Sequence, residues 1–320
     1  MMRAVIIGGS GHIGTYLVPR LVEAGFEVIN VSRGKREPYT PNAAWKDVRT
    51  VTLDREGEEK HGEFGSQIRA LKPDIVLDMI CFTLASARHL AEALAGEVQH
   101  FLHTGTIWVH GPSVAVPTNE AQPRKPFGEY GKQKAAIEAY LLGEAKRNGF
   151  PVTIVHPGHI VGPGWNPLNP AGHFNPQVFT TLARGEELAL PNFGLETVHH
   201  VHADDVAHAF MRAIANWSAS VGEALHAVSP QAVTLRGYAE TTAAWFGKEA
   251  KLTFLPWPQW KAAQTSEEDA TATWEHIARS PNSSIAKAER LIGYAPRYTS
   301  FEAVFEAVGW LIAKGIVRTG

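Results

Sequence analysis

Cysteine is nearly absent from this chain, and so are long apolar runs and any excess of charge. Cys81 is the single cysteine among 320 residues, so no disulfide forms within the chain and we expect a reducing compartment. No apolar run reaches the roughly 20 residues of a membrane-spanning helix, and the first residues do not resemble a signal peptide. Lys and Arg number 30 against 32 Asp and Glu, which gives no electrostatic footprint for nucleic acid or an anionic membrane. The sequence therefore predicts a soluble cytoplasmic protein that binds neither nucleic acid nor membranes.

Three glycines at intervals of three line a turn that follows an apolar strand and precedes a helix. The strand covers residues 4–7, the helix residues 15–24, and a second strand follows at 27–31. In such a βαβ unit the glycines allow a tight turn, a close approach of the backbone to phosphate and close packing of the helix. Free N–H groups and the positive helix end then hold the pyrophosphate of a dinucleotide. The residues assigned to this cofactor site are Gly8, Ser10, Gly11, His12, Ile13 and Gly14.

A carboxylate is missing where the second strand ends, the position from which an acidic residue binds the ribose 2′-hydroxyl of NAD. Ser32, Arg33, Lys35 and Arg36 stand there instead. A hydroxyl and three cations suit the 2′-phosphate of NADP, which a carboxylate would repel. The sequence therefore predicts NADP as the cofactor, with Ser32 and Arg33 in its site. NAD stays the alternative, because a run of charges is also typical of solvated surface.

Tyr130 and Lys134 lie four residues apart in a helix predicted over residues 128–146, so they share one helix face. A neighbouring ammonium favours a phenolate, and we therefore expect Lys134 to lower the pKa of Tyr130 and also to bind the cofactor ribose. Thr106 follows a predicted strand, and ligands of parallel sheets gather at the carboxyl ends of strands. Thr106, Tyr130 and Lys134 are thus the predicted catalytic residues. The alternative is a surface helix whose aromatic residue only packs.

Strands and helices alternate along the chain, which is typical of a parallel sheet covered by helices on both faces. The predicted strands are residues 3–8, 27–31, 49–53, 74–80, 99–105 and 151–155. The fold class is α/β, a Rossmann-type doubly wound parallel sheet with a smaller C-terminal α/β lobe. We predict that residues 1–164 plus 198–228 form the dinucleotide-binding domain. Residues 165–197 plus 229–320 then form the substrate-binding lobe, with the substrate pocket between the two.

Together these segments resemble the extended short-chain dehydrogenases/reductases of the NAD-dependent epimerase/dehydratase type. The glycine turn and the three predicted catalytic residues match the cofactor turn and the catalytic positions of that family. Residues 156–164 resemble the segment that follows the strand beside the nicotinamide. Residues 201–206 and 286–296 resemble two further segments of the C-terminal half.

The resemblance also implies residue roles and an assembly. It places Asp54 near the adenine of the cofactor, and it places Pro157 and His159 in the cofactor site. It implies a homodimer through the helix that carries Tyr130. The apolar residues of that helix, which fit either an interface or a core, are Ala135, Ile137, Leu141 and Leu142.

Two arginines expected of family members that act on nucleotide sugars are missing. Val198 stands at the first position, and the second region, residues 271–284, contains only Arg279. A nucleotide diphosphate without this clamp loses its main charge-assisted contacts, so a UDP-sugar substrate is in doubt. His156 replaces the arginine of the Gly-Pro-Gly segment, while Thr106 replaces the commoner serine and keeps the hydroxyl.

The sequence thus predicts an NAD(P)-dependent enzyme that transfers hydride between nicotinamide and a secondary alcohol or ketone. A sugar or sugar derivative is the substrate by analogy with the family. Tyr130 exchanges the alcohol proton, Lys134 holds the ribose and Thr106 orients the oxygen. Epimerase and reductase chemistry both remain open, whereas Ile107 makes dehydration the least favoured because dehydratases carry an acidic residue there. The alternative is a cofactor-binding sensor or RNA-associated relative with little catalysis.

His199, His200 and His202 lie close together and raise the question of a metal site. His200 and His202 would share a strand face, but a transition-metal site usually needs three or four convergent ligands. The predicted chemistry needs no metal. We therefore predict hydrogen-bonded structural histidines and no metal.

Overall fold

Seven parallel strands form the central sheet of the structure, a computed structural model that describes residues 1–319. In chain order the strands are β1 (Arg3–Ile7), β2 (Glu27–Ser32), β3 (Arg49–Thr52), β4 (Ile75–Asp78), β5 (His100–Thr104), β6 (Val152–Pro157), β7 (His159–Val161), β8 (Glu187–Pro191), β9 (Thr197–Val198), β10 (His200–His202), β11 (Ala224–Ala227), β12 (Val233–Thr234) and β13 (Lys251–Leu255). The central sheet has the order β11-β6-β5-β4-β1-β2-β3, with every pairing parallel. The winding reverses between β1 and β4, and α/β sheets bind ligands at the carboxyl ends of strands beside such a reversal.

Helices cover both faces of the sheet. They are α1 (His12–Glu23), α2 (Arg55–Lys60), α3 (Phe64–Ala70), α4 (Leu84–Leu94), α5 (Gly128–Asn148), α6 (Gln177–Ala183), α7 (Ala203–Ala215), α8 (Trp217–Ser220), α9 (Leu235–Trp245), α10 (Trp257–Ala263), α11 (Glu267–Ile277), α12 (Ala286–Ile292) and α13 (Ser300–Ala313), with 3₁₀ turns at Ala43–Asp47 and Ile107–His110. On one face Phe210 and Ile292 from α7 and α12 pack with α1 into one core, and on the other Leu90 and Ile137 from α4 and α5 pack with α3. A sheet buried on both faces requires consecutive apolar residues in its strands, as β1 has. No helix of residues 1–319 is long and apolar enough to cross a membrane.

A third apolar core lies outside the central sheet. Strands β8 and β13 pair in parallel, and Phe179, Leu190, Tyr238 and Trp260 are buried together around them. These residues fall within the segments predicted to form the smaller lobe. The lobe boundaries themselves stay a prediction.

The predicted fold class is confirmed, with one strand of the central sheet missed. All six predicted strands are present within about three residues of their predicted ends. The seventh, β11, reads Ala-Leu-His-Ala and lacks the β-branched and aromatic residues by which a short strand is recognised. This strand forms because the backbone groups at the edge of β6 pair with it. The helix predicted over 128–146 extends to Asn148 and ends where Gly149 adopts φ +67°.

Candidate active site

The glycine turn brings the start of α1 to the carboxyl end of β1. Gly8 has φ +88°, and a side chain there would contact Ile80; a Cβ on Gly14 would collide with the carbonyl of Gly9. No side chain caps α1 at Gly11, so the N–H groups of its first turn point outward without partners within the helix. These N–H groups therefore point to where the sequence predicts the pyrophosphate of the cofactor.

Side chains of the turn are held by the protein rather than left free for a ligand. Asn30 donates to the hydroxyl of Ser10 at 3.1 Å. The ring of His12 stacks on Trp165 at 5.2 Å and meets Tyr39 at 5.3 Å, and burial lowers its pKa to about 4. Ile13 points into the core, so it offers a ligand only its backbone. The turn therefore presents backbone donors, with neutral aromatic rings beside them.

Exposed charges mark the outer end of the crevice, where β2 and β3 terminate. Arg33, Lys35 and Arg36 are exposed, and Arg36 donates to the hydroxyl of Tyr39 at 3.2 Å. The hydroxyl of Ser32 accepts from the N–H of Gly34. Asp54, at the start of α2, is also exposed and caps nothing. Since Ser32 pairs with Thr52 in the sheet, Arg33 and Asp54 follow neighbouring strand ends.

The side chain of Lys134 is hydrogen-bonded at the carboxyl ends of β4 and β5, which are neighbours in the sheet. Its ammonium donates to the carbonyls of Cys81, just after β4, and Thr104, at the end of β5, both at 2.7 Å. The residue is 2% exposed, and burial lowers its pKa to about 8. Because an ammonium has three donors, one N–H remains for a ligand.

Tyr130 has two influences on its acidity in this structure. Burial of the phenol raises its pKa above the ordinary value although the residue as a whole is 41% exposed, and the side chain of Thr106 opposes this effect. The Lys134 ammonium lies 5.9 Å from the centre of the phenol ring and donates to two backbone carbonyls. That Lys134 lowers the pKa of Tyr130 stays a prediction. The structure does bring Thr106, Tyr130 and Lys134 together.

A group of rings that sequence reasoning missed lines the other side of the tyrosine. Trp108 meets Tyr130 at 5.8 Å, His159 at 6.2 Å and His276 at 5.2 Å, while Phe174 meets His276 at 5.5 Å. Burial lowers the pKa of His276 to about 4 and that of His159 well below its usual value, so both rings are neutral. Trp108 stands two residues after Thr106, and this proximity was its only signal in the sequence. His159, predicted for the cofactor, therefore also borders the substrate side.

Arg279 is buried beside this group and has no free face. Its guanidinium lies 3.6 Å from the ring centre of Trp108 and 3.8 Å from that of Phe127, and it donates to the carbonyls of Phe127 and Glu275. It is 1% exposed, and burial lowers its pKa to about 10. Val198 is fully buried. Neither position offers a cation to a substrate.

The three neighbouring histidines have separate structural partners. His199 bonds to the carbonyl of Ser229, His200 to that of Leu168, and His202 lies 2.9 Å from a Glu306 carboxylate oxygen. Their nitrogens therefore do not converge on one point.

Asp78, Cys81 and His103 do converge, with ligand atoms within 4.8 Å of one another. Arg55 pairs with Asp78 at 2.7 Å, and burial raises the pKa of the Cys81 thiol to about 12. An adjoining guanidinium and a protonated thiol oppose a divalent cation here.

The chain matches the model of the NAD dependent epimerase/dehydratase family over residues 4–226. It belongs to that family. The match covers the glycine turn, the predicted catalytic trio and all of β11 but its last residue, so the predicted membership is confirmed. The chain is an NAD(P)-dependent enzyme of the extended short-chain dehydrogenase/reductase type, and it uses a nicotinamide cofactor.

Three similar proteins illustrate the range of the family. The chain is 26% identical to 2'-dehydrokanamycin reductase of Streptomyces kanamyceticus, over 99% of this chain and 86% of that protein. It is 24% identical to chloroplast stem-loop binding protein of 41 kDa b of Arabidopsis thaliana, over 99% and 81%. Among solved structures, UDP-glucose 4-epimerase of Thermotoga maritima, with UDP-glucose, has a TM-score of 0.74 at 21% identity, covering 98% of this chain and 99% of that one. The last likeness concerns the fold alone.

Proposed function

We propose that the chain is an NADP(H)-dependent enzyme that interconverts a secondary alcohol and its ketone on a sugar derivative carrying no nucleotide diphosphate. The observation that carries this proposal is the convergence of Thr106, Tyr130 and Lys134 at the carboxyl ends of β4 and β5. That edge also holds the glycine turn, so cofactor and proton donor meet there.

The cofactor residues fit a dinucleotide along the crevice. Backbone donors at the start of α1 would hold its pyrophosphate, and the remaining N–H of Lys134 would bind its ribose. The exposed Arg33, with no carboxylate at the end of β2, favours the 2′-phosphate of NADP over the free diol of NAD. Nicotinamide, when bound, supplies the hydride chemistry.

The protein's own residues move the proton. In the reducing direction Tyr130 gives its phenolic proton to the carbonyl oxygen as the carbon receives the hydride, and in the oxidising direction the proton returns. The side chain of Thr106 lowers the pKa of the phenol and would orient the substrate oxygen. Lys134 holds the ends of β4 and β5 together beneath the site.

The substrate class is inferred from the charge of the side chains that surround Tyr130. Trp108, His159 and His276 present neutral rings, and Arg279 is stacked between two aromatic rings. A diphosphate would enter without a paired cation, whereas a neutral or amino sugar can lie against these rings. The similarity to 2'-dehydrokanamycin reductase favours the same choice and favours reduction over epimerisation.

The second candidate is a binding protein with little catalysis. Its support is the similarity over 99% of the chain to a chloroplast stem-loop binding protein. The intact catalytic trio favours the enzyme, because a binding protein needs no proton donor beside the cofactor.

We propose a homodimer through α5, although the structure narrows the surface available for it. Ile137 and Leu141 are buried in the core of their own chain, which leaves Ala135 and Leu142 partly exposed. Light scattering would give the mass. A location in the cytoplasm stays a prediction.

The deciding experiment is turnover with both reduced cofactors against free keto-sugars, keto-aminoglycosides, nucleotide keto-sugars and small ketones. We expect NADPH oxidation with a nucleotide-free sugar ketone. Turnover confined to nucleotide sugars would contradict the substrate class, and cofactor binding without turnover on the whole panel would favour the binding protein.

A further inference from the structure

A histidine on β6 supports the backbone that presents Thr106. The N–H of Thr106 donates to Nδ1 of His156 at 2.8 Å, and both residues are buried. Gly105 packs directly on the same ring, since a Cβ there would collide with Nδ1 and Cε1. The N–H of Gly105 donates to the carbonyl of Val155, which precedes His156 on the strand. The turn at Thr106 is therefore built against the imidazole.

The other side of the imidazole faces the catalytic helix. Its Nε2 lies 3.4 Å from Oε1 of Glu138, and Arg124 donates to both oxygens of that carboxylate, at 2.5 and 3.1 Å. Burial raises the pKa of Glu138, but His156 and Arg124 outweigh this effect and hold the pKa well below its usual range. Glu138 stands four residues after Lys134 and eight after Tyr130, so the three share one face of α5.

These contacts define which nitrogen of His156 carries the proton. Nδ1 accepts from an N–H and is therefore unprotonated, so the proton of the neutral ring lies on Nε2 and faces the Glu138 carboxylate. An arginine at this position would have five donors and no acceptor. It could not receive the N–H of Thr106. The imidazole is thus suited to join the Thr106 backbone to α5.

We propose that His156 is a positioning residue for the hydride-transfer reaction, an inference that rests on the proposed function. It fixes the backbone of Thr106 against the face of α5 that carries Tyr130, and so sets how the hydroxyl of Thr106 faces the phenol. His156 itself touches neither substrate nor cofactor. Its effect is on the rate of the proton transfer step and not on cofactor affinity.

Two amide substitutions separate the two contacts of the ring. His156→Asn places an oxygen near the Nδ1 position and can still accept from Thr106, whereas His156→Gln extends towards Glu138 and leaves that N–H without an acceptor. Both side chains are polar and similar in size. We expect kcat to fall about 10- to 100-fold in the Gln variant, with most of the rate kept in the Asn variant and cofactor Kd unchanged in both.

A second readout follows from the effect of Thr106 on the phenol. The side chain of Thr106 lowers the pKa of Tyr130, so displacing it in the Gln variant moves the rise of alcohol oxidation with pH to higher pH. A purely structural role for His156 would leave this profile in place.

The control is His100, an equally buried histidine at the opposite end of the same strand pair. His100 bonds to the hydroxyl of Thr153 at 2.8 Å. His100→Asn breaks that contact and should lower the melting temperature with kcat and its pH profile unchanged. Equal kcat in the two His156 variants, or an equal loss of kcat in the His100 variant, would overturn the proposal.

Failure of the proposed function gives a different pattern. If the wild-type protein turns over no substrate, the proposed function has failed, and the His156 inference is then judged from the Thr106 amide proton in selectively labelled protein. We expect its chemical shift to move upfield in the Gln variant and to stay near the wild-type value in the Asn variant. An unmoved signal in the Gln variant would refute the contact.

Discussion

In the proposed mechanism Tyr130 transfers the proton, and Thr106 and Lys134 hold the site around it in place. Burial makes the phenol of Tyr130 a weaker acid, and the side chain of Thr106 partly compensates. Two of the three N–H groups of the Lys134 ammonium donate to backbone carbonyls. Its main contribution to the free protein is therefore to fix the floor of the site.

The phenol can be tested by removing its hydroxyl alone. Tyr130→Phe should lower kcat about 100- to 10,000-fold, the usual contribution of a general acid, while cofactor Kd stays unchanged. Tyr140→Phe makes the same change ten residues later on the same helix and should leave kcat unaltered. Steady-state kinetics with fluorescence titration of the cofactor measures both, and wild-type turnover by the Tyr130 variant would remove it from the mechanism.

The choice of cofactor can be tested at the end of β2. Arg33→Asp should weaken NADP binding about 30- to 1,000-fold, because it replaces one charge-assisted contact with repulsion, while NAD affinity holds or improves. Arg69→Asp alters charge equally at an exposed site on α3 and serves as the control. An unchanged ratio of the two affinities would place Arg33 in solvent.

At the scale of single elements, the start of α1 depends on two backbones packing without a side chain between them. Gly14→Ala puts a methyl group against the carbonyl of Gly9, so the turn must shift. We expect cofactor binding to weaken about 10- to 100-fold.

Gly309 in α13 provides the matched substitution. A Cβ there meets nothing, so Gly309→Ala should leave binding alone and raise helix stability by up to about 1 kcal/mol. Calorimetric titration and thermal unfolding distinguish the two variants. Equal cofactor affinity in both would show that the close approach at Gly14 is dispensable.

Sequence predicts well those elements whose local environment requires a recognisable pattern of residues. A strand buried on both faces, such as β1, must be apolar throughout, and a turn with positive φ at Gly8 favours glycine. Strand β11 has no such pattern, because it is defined by the edge of β6. The same holds for the contacts of Lys134 and for the ring of Trp108, which depend on residues far away in sequence.

At the scale of the whole molecule, Trp108 joins the central sheet to His276 at the end of α11 and to Arg279 just after that helix. The structure brings the predicted catalytic residues together, but the group of rings opposite them could not be predicted, since it joins Trp108 to His276 and Arg279, more than 160 residues later in the chain. The sequence left open whether Arg279 could serve a diphosphate. The stacking of Arg279 between Trp108 and Phe127, which the structure shows, leaves its guanidinium no free face for a diphosphate.

The stacked arginine leads to a prediction about nucleotides. UDP should bind the NADP-saturated protein only in the millimolar range or more weakly, because neutral hydrogen bonds rarely replace two ion pairs. Isothermal titration calorimetry measures this, with NADP binding to the free protein as the control for its competence. Micromolar UDP affinity would restore a nucleotide-sugar substrate.

Buried histidines should make the folded protein sensitive to acid. Burial lowers the pKa of His100, His199, His200 and His276 from 6.5 to about 4. Between these values the unfolded chain binds protons that the folded chain excludes, so stability is intact above pH 6.5 and falls as pH drops towards 4.

Each such ring costs about 3 kcal/mol over that interval, so two or three would cancel a net stability in the lower half of the typical range of about 5–15 kcal/mol. Thermal unfolding from pH 8 to pH 4 should show a steep fall in melting temperature below pH 6.5. A melting temperature independent of pH in this interval would contradict the burial of these rings.

The single cysteine allows the local opening of the segment beneath Lys134 to be measured. Cys81 is 1% exposed, burial raises the pKa of its thiol to about 12, and its carbonyl accepts from Lys134. A thiol reagent can therefore react only when this segment opens, and the chain has no other thiol to obscure the signal. Labelling kinetics of the unmodified protein would thus time the openings of the site floor, and saturating cofactor should slow them.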